Sequence, residues 1–254
     1  MIGRASTKKT WDRFWSNRSS SEIYPPVNDI ASELKKVTDL AYKKILEVGA
    51  GTGRDSIRIS AEQNQVYVLD YSPISIDLIR SQPHSQRLLL IQSDALSCPV
   101  PDGTFDIIFH QGLLEHFSSP HRLLKENHRI LKSGGFLAVD VPQTIHIYTL
   151  IKQALILCKL WFGGWERQFT PRSLSRLLIK SGFEPVHYYG DWSRPGILYK
   201  IVKLIASRLK IKLPMYPRFL GKITESFYRT QQKLRTKRIL QYTAFSIGII
   251  ARKI

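Results

Sequence analysis

Glu47-Val48-Gly49-Ala50-Gly51-Thr52-Gly53 sets three glycines two apart directly behind an acid. Glycine lets the backbone turn sharply and lets a ligand approach the main chain with no Cβ in the way. The residues from Arg54 read as a helix, so the amides closing the turn offer donors and the positive end of a helix dipole. A second acid, Asp70, ends the run Val66-Tyr67-Val68-Leu69 and lies 17 residues beyond Gly53. A carboxylate so placed can accept both hydroxyls of a ribose. Turn and acid together point to a ribosylated ligand bound at the carboxyl ends of neighbouring strands.

Two other nucleotide signatures fail. A G-x-G-x-x-G fingerprint begun at Gly49 would need glycine where Arg54 stands, and the Gly-Lys-Ser/Thr of a phosphate loop is missing. A glycine turn alone is often only a tight turn. The preceding strand, the following helix and the spaced acid make this one a ligand site.

Those residues need a scaffold. The short apolar runs Ile45–Val48, Val66–Asp70, Leu88–Gln92, Phe105–His110 and Phe136–Val141 read as strands covered on both faces. Arg54–Gln63, Pro73–Gln82 and Pro120–Leu131 read as helices between them, the last running into the basic turn and glycine stop Lys132-Ser133-Gly134-Gly135. Such alternation predicts an α/β doubly wound, Rossmann-like parallel sheet with right-handed crossovers. Ahead of it, Thr10–Ser19 and Asn28–Tyr42 read as helices parted by Pro25-Pro26. Behind it, Pro171–Ser181 reads as a helix closed by Gly182, and Phe183–Tyr189 and Ala244–Ala251 as two more strands. The expected division is an N-terminal helical lid over 1–42, a core over 43–194 with an insertion around 144–168, a basic helical insert over 195–240, and the final strand over 241–254.

With 254 residues and 43% apolar content, the chain suits one large α/β domain and excludes global disorder. Its two cysteines, Cys98 and Cys158, have neither disulfide-framework nor metal-ligand spacing. No metal is expected, and a reducing cytoplasmic setting fits best. The opening MIGRASTKKTWDRFW is basic without the apolar run of a secretion signal. No uninterrupted run of 18 apolar residues occurs, which argues against a spanning helix and leaves a surface-lying one open.

The motifs, in order, resemble the class I S-adenosylmethionine-dependent methyltransferases, in particular the methyltransferase type 11 group. ILEVGAGTGRDS is similar to the first motif, VLDYSP to the second, SDALSCPVPDGTFDIIFHQGLLEHF to the stretch around the fourth strand, and HRLLKENHRILKSGGFLAVDVP to the fifth-strand region. The resemblance covers roughly Tyr42 to Gln143 and, more loosely, the final strand. It implies a seven-stranded, mostly parallel sheet with an antiparallel last strand, and S-adenosyl-L-methionine as cofactor. Glu47, Gly49, Ala50, Gly51 and Gly53 would line its methionine half. Asp70 would hold the ribose hydroxyls with Tyr71 beside the adenine, and Asp94 and Ala95 would flank the adenine. His110 and Gln111 would sit near the sulfonium and the acceptor. Ser133-Gly134-Gly135 departs mildly from the family's Pro-Gly-Gly.

Methyl transfer from a sulfonium gains most of its rate from positioning, and a base is needed only when the acceptor loses a proton. Candidate bases are His110, Glu115, His116 and His146, with His116 best placed after the fourth strand and His110 second. The Asn/Asp-Pro-Pro-Tyr run of amino-methylating enzymes and a Pro-Cys nucleophile are absent. That leaves a small-molecule or lipid-linked acceptor, contacted from Trp11–Trp15 and from Gln143–Gln168.

Net charge is +18, and the segment Trp192–Ile254 carries 15 Lys or Arg against the single acid Glu225. Such a region faces an anionic membrane, a nucleic acid or only solvent. Residues 197–210 have a helical period with Lys200, Lys203, Ser207 and Lys210 on one face and Leu198, Val202, Ile205 and Leu209 on another, as in a helix lying in an anionic interface. Tyr148–Phe162 could add an apolar contact. The alternative is a cap packed on the sheet. Peripheral association with the inner membrane surface is therefore an expectation, with nucleic acid less favoured because no aromatic stacking platform is evident. The rival function is a membrane- or RNA-associated binding protein that keeps the cofactor fold without turnover.

Overall fold

The computed structural model describes residues 7–16, 30–158, 166–192 and 236–254, with isolated positions between 199 and 234. Its centre is a seven-stranded sheet built from β1 (Lys44–Val48), β2 (Gln65–Asp70), β3 (Leu88–Gln92), β4 (Phe105–Gln111), β5 (Leu131–Pro142), β6 (Phe183–Asp191) and β7 (Ser246–Lys253). The spatial order is β3-β2-β1-β4-β5-β7-β6. β1 to β5 pair in parallel, and β7 lies antiparallel between β5 and β6. The expected sheet, with one antiparallel strand, is the observed one. Its order reverses between β1 and β4, which opens a crevice at their carboxyl ends.

Two apolar layers clothe this sheet. On one face Ile30 and Leu34 of α2 (Ile30–Leu34), Ile59 of α3 (Arg54–Ile59) and Ile79 of α4 (Pro73–Arg80) pack on Ile45, Val68, Ile107 and Phe109. On the other, Leu123, Leu124 and Ile130 of α5 (Pro120–Ile130) and Leu174 and Leu178 of α7 (Pro171–Lys180) pack on Leu46, Ile108, Val139 and Ile249. Strands buried on both sides explain the near-continuous apolar runs of the sequence. α2 is further pinned by its buried Glu33, whose carboxylate lies 2.7 Å from His187 on β6 and accepts from Lys36 at 2.8 Å.

Local chemistry shortens several elements. Of the helix expected over Asn28–Tyr42, the described residues are regularly helical only over Ile30–Leu34, and farther on the Asp39 carboxylate accepts from the amide of Ala41 and turns the chain away from helical bonding. The one expected over Arg54–Gln63 stops at Ile59, whose carbonyl accepts from the Asn64 amide side chain. β5 begins at Leu131 rather than Phe136: Leu131 is already extended and pairs with Phe105, with a register irregularity before Phe136. Of the helix read at Thr10–Ser19, the described part belongs to α1, Lys8–Ser16, and 17–19 lie outside the described residues. α6 (Ile147–Leu157) covers most of the apolar stretch from Tyr148. The amphipathic helix read at 197–210 and most of the basic insert lie outside the described residues. Among the described residues no helix is long and apolar enough to cross a membrane.

Candidate functional site

The turn after β1 takes the shape its glycines permit. Gly49, Gly51 and Gly53 have φ of +66°, +57° and +63°, the left-handed region that an L side chain occupies only with strain. Gly49 donates to Leu69 O at 2.7 Å, which fixes the turn against β2. The amide of Gly51 donates to Asp70 at 3.0 Å, and the amide of Ser72 donates to the other oxygen at 2.9 Å. Asp70 is thus locked at the tip of β2, facing the turn across two strand ends. Burial raises its pKa, and the amides of Ser72 and Gly51 oppose that rise.

Behind the turn stands a second carboxylate. Glu47 accepts from the Ser56 hydroxyl at 2.6 Å and from the Ser56 amide at 3.3 Å. Burial, then the nearby Asp55 charge, pushes its pKa up to about 8. Two buried acids side by side favour a cation between them. The sequence reading missed Asp55; an acid one residue into the helix behind a glycine turn was its only signal.

These residues border a cavity of about 530 Å³ at the sheet's carboxyl edge, whose walls include Glu47, Gly49, Ala50, Gly51, Asp55, Asp70, Tyr71, Asp94, Ala95, Gln111 and His116. α1 covers it, with Lys8, Trp11, Phe14 and Trp15 on the lining. The helix is moored by Asp12, which accepts from the Ser72 hydroxyl at 2.6 Å and from Lys8 at 3.2 Å. Ser72 also caps α4. The Trp15 ring rests on Gly51, where a Cβ would come within 2.6 Å of it. The Trp11 ring meets His116 edge-on at 4.9 Å between centroids.

Nearly all the predicted residues therefore gather at one cavity. Gly53, Tyr71 and Asp94 differ in manner: Gly53 turns the chain without reaching the lining, Tyr71 is half exposed, and exposed Asp94 binds the Leu96 amide at 2.9 Å. His110 is the correction. It is fully buried and does not reach the lining, because the two-residue period of β4 turns it to the face opposite Gln111. Neither ring nitrogen has a hydrogen-bond partner among the described residues, and burial pushes its pKa down to about 3. The His110 ring is thus held neutral in the core, off the cavity wall. Glu115 is buried behind His116 at 4.0 Å, and His146 packs on Phe245 away from the cavity. Leu113, Phe117 and Ser118, beyond β4, join the lining without having been singled out. Among the described residues none of 143–168 lines it. No cluster able to hold a metal occurs among the described residues.

The geometry suits an adenosyl sulfonium: left-handed glycines give close backbone approach, Asp70 faces them, and buried carboxylates await positive charge. Comparison with known proteins agrees. A family model described as a methyltransferase domain matches residues 46–139. The chain is 29% identical over 142 residues to a 2-methyl-6-phytyl-1,4-hydroquinone methyltransferase of Oryza sativa subsp. japonica, over 52% of this chain and 41% of that one. It is 28% identical over 155 residues to a probable S-adenosylmethionine-dependent methyltransferase of Mycobacterium tuberculosis, over 61% and 54%. The chain thus spans about half the length of these curated relatives. Among solved structures, a SAM-dependent methyltransferase of Thermotoga maritima superposes over 98% of this chain and 100% of that one, with a TM-score of 0.63 at 18% identity. The phosphoethanolamine N-methyltransferase 2 of Haemonchus contortus, solved with S-adenosyl-L-methionine, superposes over 89% and 52%, with 0.59 at 15% identity. At those identities the likeness is one of fold. Residues 46–139 thus match a methyltransferase domain, and the sheet around them has the fold of S-adenosylmethionine-dependent methyltransferases.

Proposed function

We propose that this chain is a class I S-adenosylmethionine-dependent methyltransferase that transfers a methyl group to a small-molecule or lipid-linked acceptor presented at a membrane surface. The observation that carries the reading is the hydrogen bond from the Gly51 amide to Asp70, made across a left-handed glycine turn and open to a cavity of about 530 Å³. In that cavity Asp70 and Tyr71 would hold the ribose and adenine, with Asp94 and Ala95 on the far side of the ring. Glu47, Gly49, Ala50, Gly51 and Gly53 would shape the methionine end, and Gln111 would border the reacting centre.

When bound, the cofactor supplies a methyl already activated by a positive sulfur. The protein's share is to orient, to exclude water and, where needed, to take a proton. Glu47 and Asp55 lower the energy of a cation beside them. Trp11, Phe14, Trp15, Leu113 and Phe117 make the remaining wall apolar and aromatic, which suits a flat or aliphatic acceptor. His116 stands on that wall with Glu115 behind it, so it is the group to receive a proton from an acceptor hydroxyl. The quinol substrates named for the plant relatives match such a wall. Helix α1 acts as a lid, and the positive charge of the stretch over 195–240 favours an anionic surface.

Isothermal titration with S-adenosylmethionine, followed by transfer of a labelled methyl to lipid and quinone extracts, tests the reading. Binding abolished by Asp70→Ala, together with label in an extract, is expected. Binding without any transfer would favour a cofactor-fold binding protein.

A further inference from the structure

Helix α7 carries Arg172, Arg176 and Lys180 four residues apart, so all three stand in one line on its outer side. All three are exposed, and none has an ion-pair or hydrogen-bonding partner among the described residues. Like charges four apart on a helix repel, and α7 contains no acid to offset them. The helix holds its place by other means, through the Thr170–Ser173 capping box and through Leu174 and Leu178 in the core. Beside the line, Ile179 is exposed by 57%.

The same face continues into the end of the basic C-terminal stretch. Arg238 lays its guanidinium over the Tyr188 ring at 4.2 Å, and the Tyr188 hydroxyl meets Ser175 of α7 at 3.0 Å. Lys237 and Arg238 are exposed there, and Ile239 is exposed by 79%. The contiguous surface thus bears five cations and two bare isoleucines, and neither α7 nor the described residues from 233 to 245 supply an acid to it.

We infer that this face of α7 and Lys237–Ile239 docks the protein on an anionic phospholipid bilayer. Cations in a line satisfy the headgroup charge, and aliphatic side chains between them can enter the acyl boundary while the long cationic stems reach outward. A single-stranded nucleic acid would call instead for exposed aromatic rings beside the cations. Tyr42 and Tyr71 are the only strongly exposed large aromatics among the described residues, and neither belongs to α7 or 236–245. Docking there also suits the cavity. The chain enters α7 from Arg167, whose amide holds Glu115 O at 2.7 Å and whose guanidinium holds Ser118 O at 3.1 Å on the cavity rim. Docking and methyl transfer can fail separately.

The test is co-sedimentation of the full chain with phosphatidylcholine vesicles, with and without phosphatidylglycerol. The unaltered protein should pellet only with the anionic vesicles. Arg172→Glu/Arg176→Glu/Lys180→Glu should weaken that partition about a hundredfold or more, since each basic side chain at such a surface contributes roughly 1 kcal/mol. Ile179→Ser/Ile239→Ser should remove the part that survives high salt. Cofactor affinity measured on the same preparations should not move, because the altered side chains are exposed and none of them lines the cavity. Equal partition onto neutral vesicles overturns the assignment, as does undiminished partition of the triple variant. Displacement from vesicles by double-stranded RNA at lower phosphate concentration would reassign the face to nucleic acid.

Discussion

The six-membered ring of Trp15 lies on the backbone of Gly51, so close that a methyl group there would sit 2.6 Å from it. Helix α1 and the glycine turn are therefore one contact surface. Gly51→Ala meets two penalties at once, a left-handed φ of +57° and the Trp15 ring. A loss of about 1–2 kcal/mol in thermal or urea unfolding is expected from the backbone alone. Cofactor affinity should fall at least about tenfold by titration calorimetry, and Trp15→Ala in the same chain should restore part of the stability, since coupled neighbours do not add. Additive losses would sink the contact.

Glu47 is expected to make cofactor binding a proton-linked event. Burial, then Asp55, lifts it from its ordinary 4.5 to about 8, so near neutral pH it is mostly protonated in the free protein. A cationic ligand favours the carboxylate, so binding near pH 7 should release about one proton, read as a dependence of the binding enthalpy on buffer ionisation. Glu47→Gln should abolish that dependence. In the free protein the folded value exceeds the unfolded one. Its stabilising contribution is therefore whole below about pH 4.5 and lost as pH rises through about 8, and Glu47→Gln should flatten that part of the stability curve.

His116 is expected to act on the acceptor and not on the cofactor. His116→Gln should leave cofactor affinity unchanged while turnover on a hydroxyl acceptor drops by about 10²–10⁴. Unaltered turnover would assign His116 to packing against Trp11.

Gly248 tests the sheet rather than the site. A Cβ on it would lie 2.0 Å from Tyr189 Cζ, and the ring is wholly buried between β6 and β7. Gly248→Ala should cost about 1–3 kcal/mol in chemical unfolding, the range for forcing a methyl into a filled core. Gly134→Ala, with open space around it, should cost only its left-handed backbone strain.

What could be read before the structure was whatever depended on neighbours in sequence. The strands of the parallel sheet, the glycine turn and Asp70 at the tip of β2 all follow from period, propensity and spacing. Failures came where distant residues decide. His110 is a polar residue at the end of an apolar strand, and sequence alone could not tell which face of β4 it would take; Gln111, one residue on, received the cavity. Asp55 looked like an ordinary first-turn acid until the fold set it beside Glu47. Residues Lys8–Ser16 were legible as a helix, yet the bond from Ser72 to Asp12 that moors it spans 60 residues. The start of β5 was misjudged because Gly134-Gly135 resembles a helix stop, while pairing with β4 carries the extended chain back to Leu131.

β7 pairs along one edge with β5 and along the other with β6, although β6 precedes it in the chain. β6 therefore has no neighbour to join until a segment more than fifty residues downstream has arrived. Assembly of this half of the sheet is obligatorily late and all-or-none, since such distant pairing repays its loop entropy only on completion. Amide exchange should find β6 and β7 opening as one unit, separately from the glycine turn, so the cofactor's platform can persist while the edge behind the docking helix comes and goes.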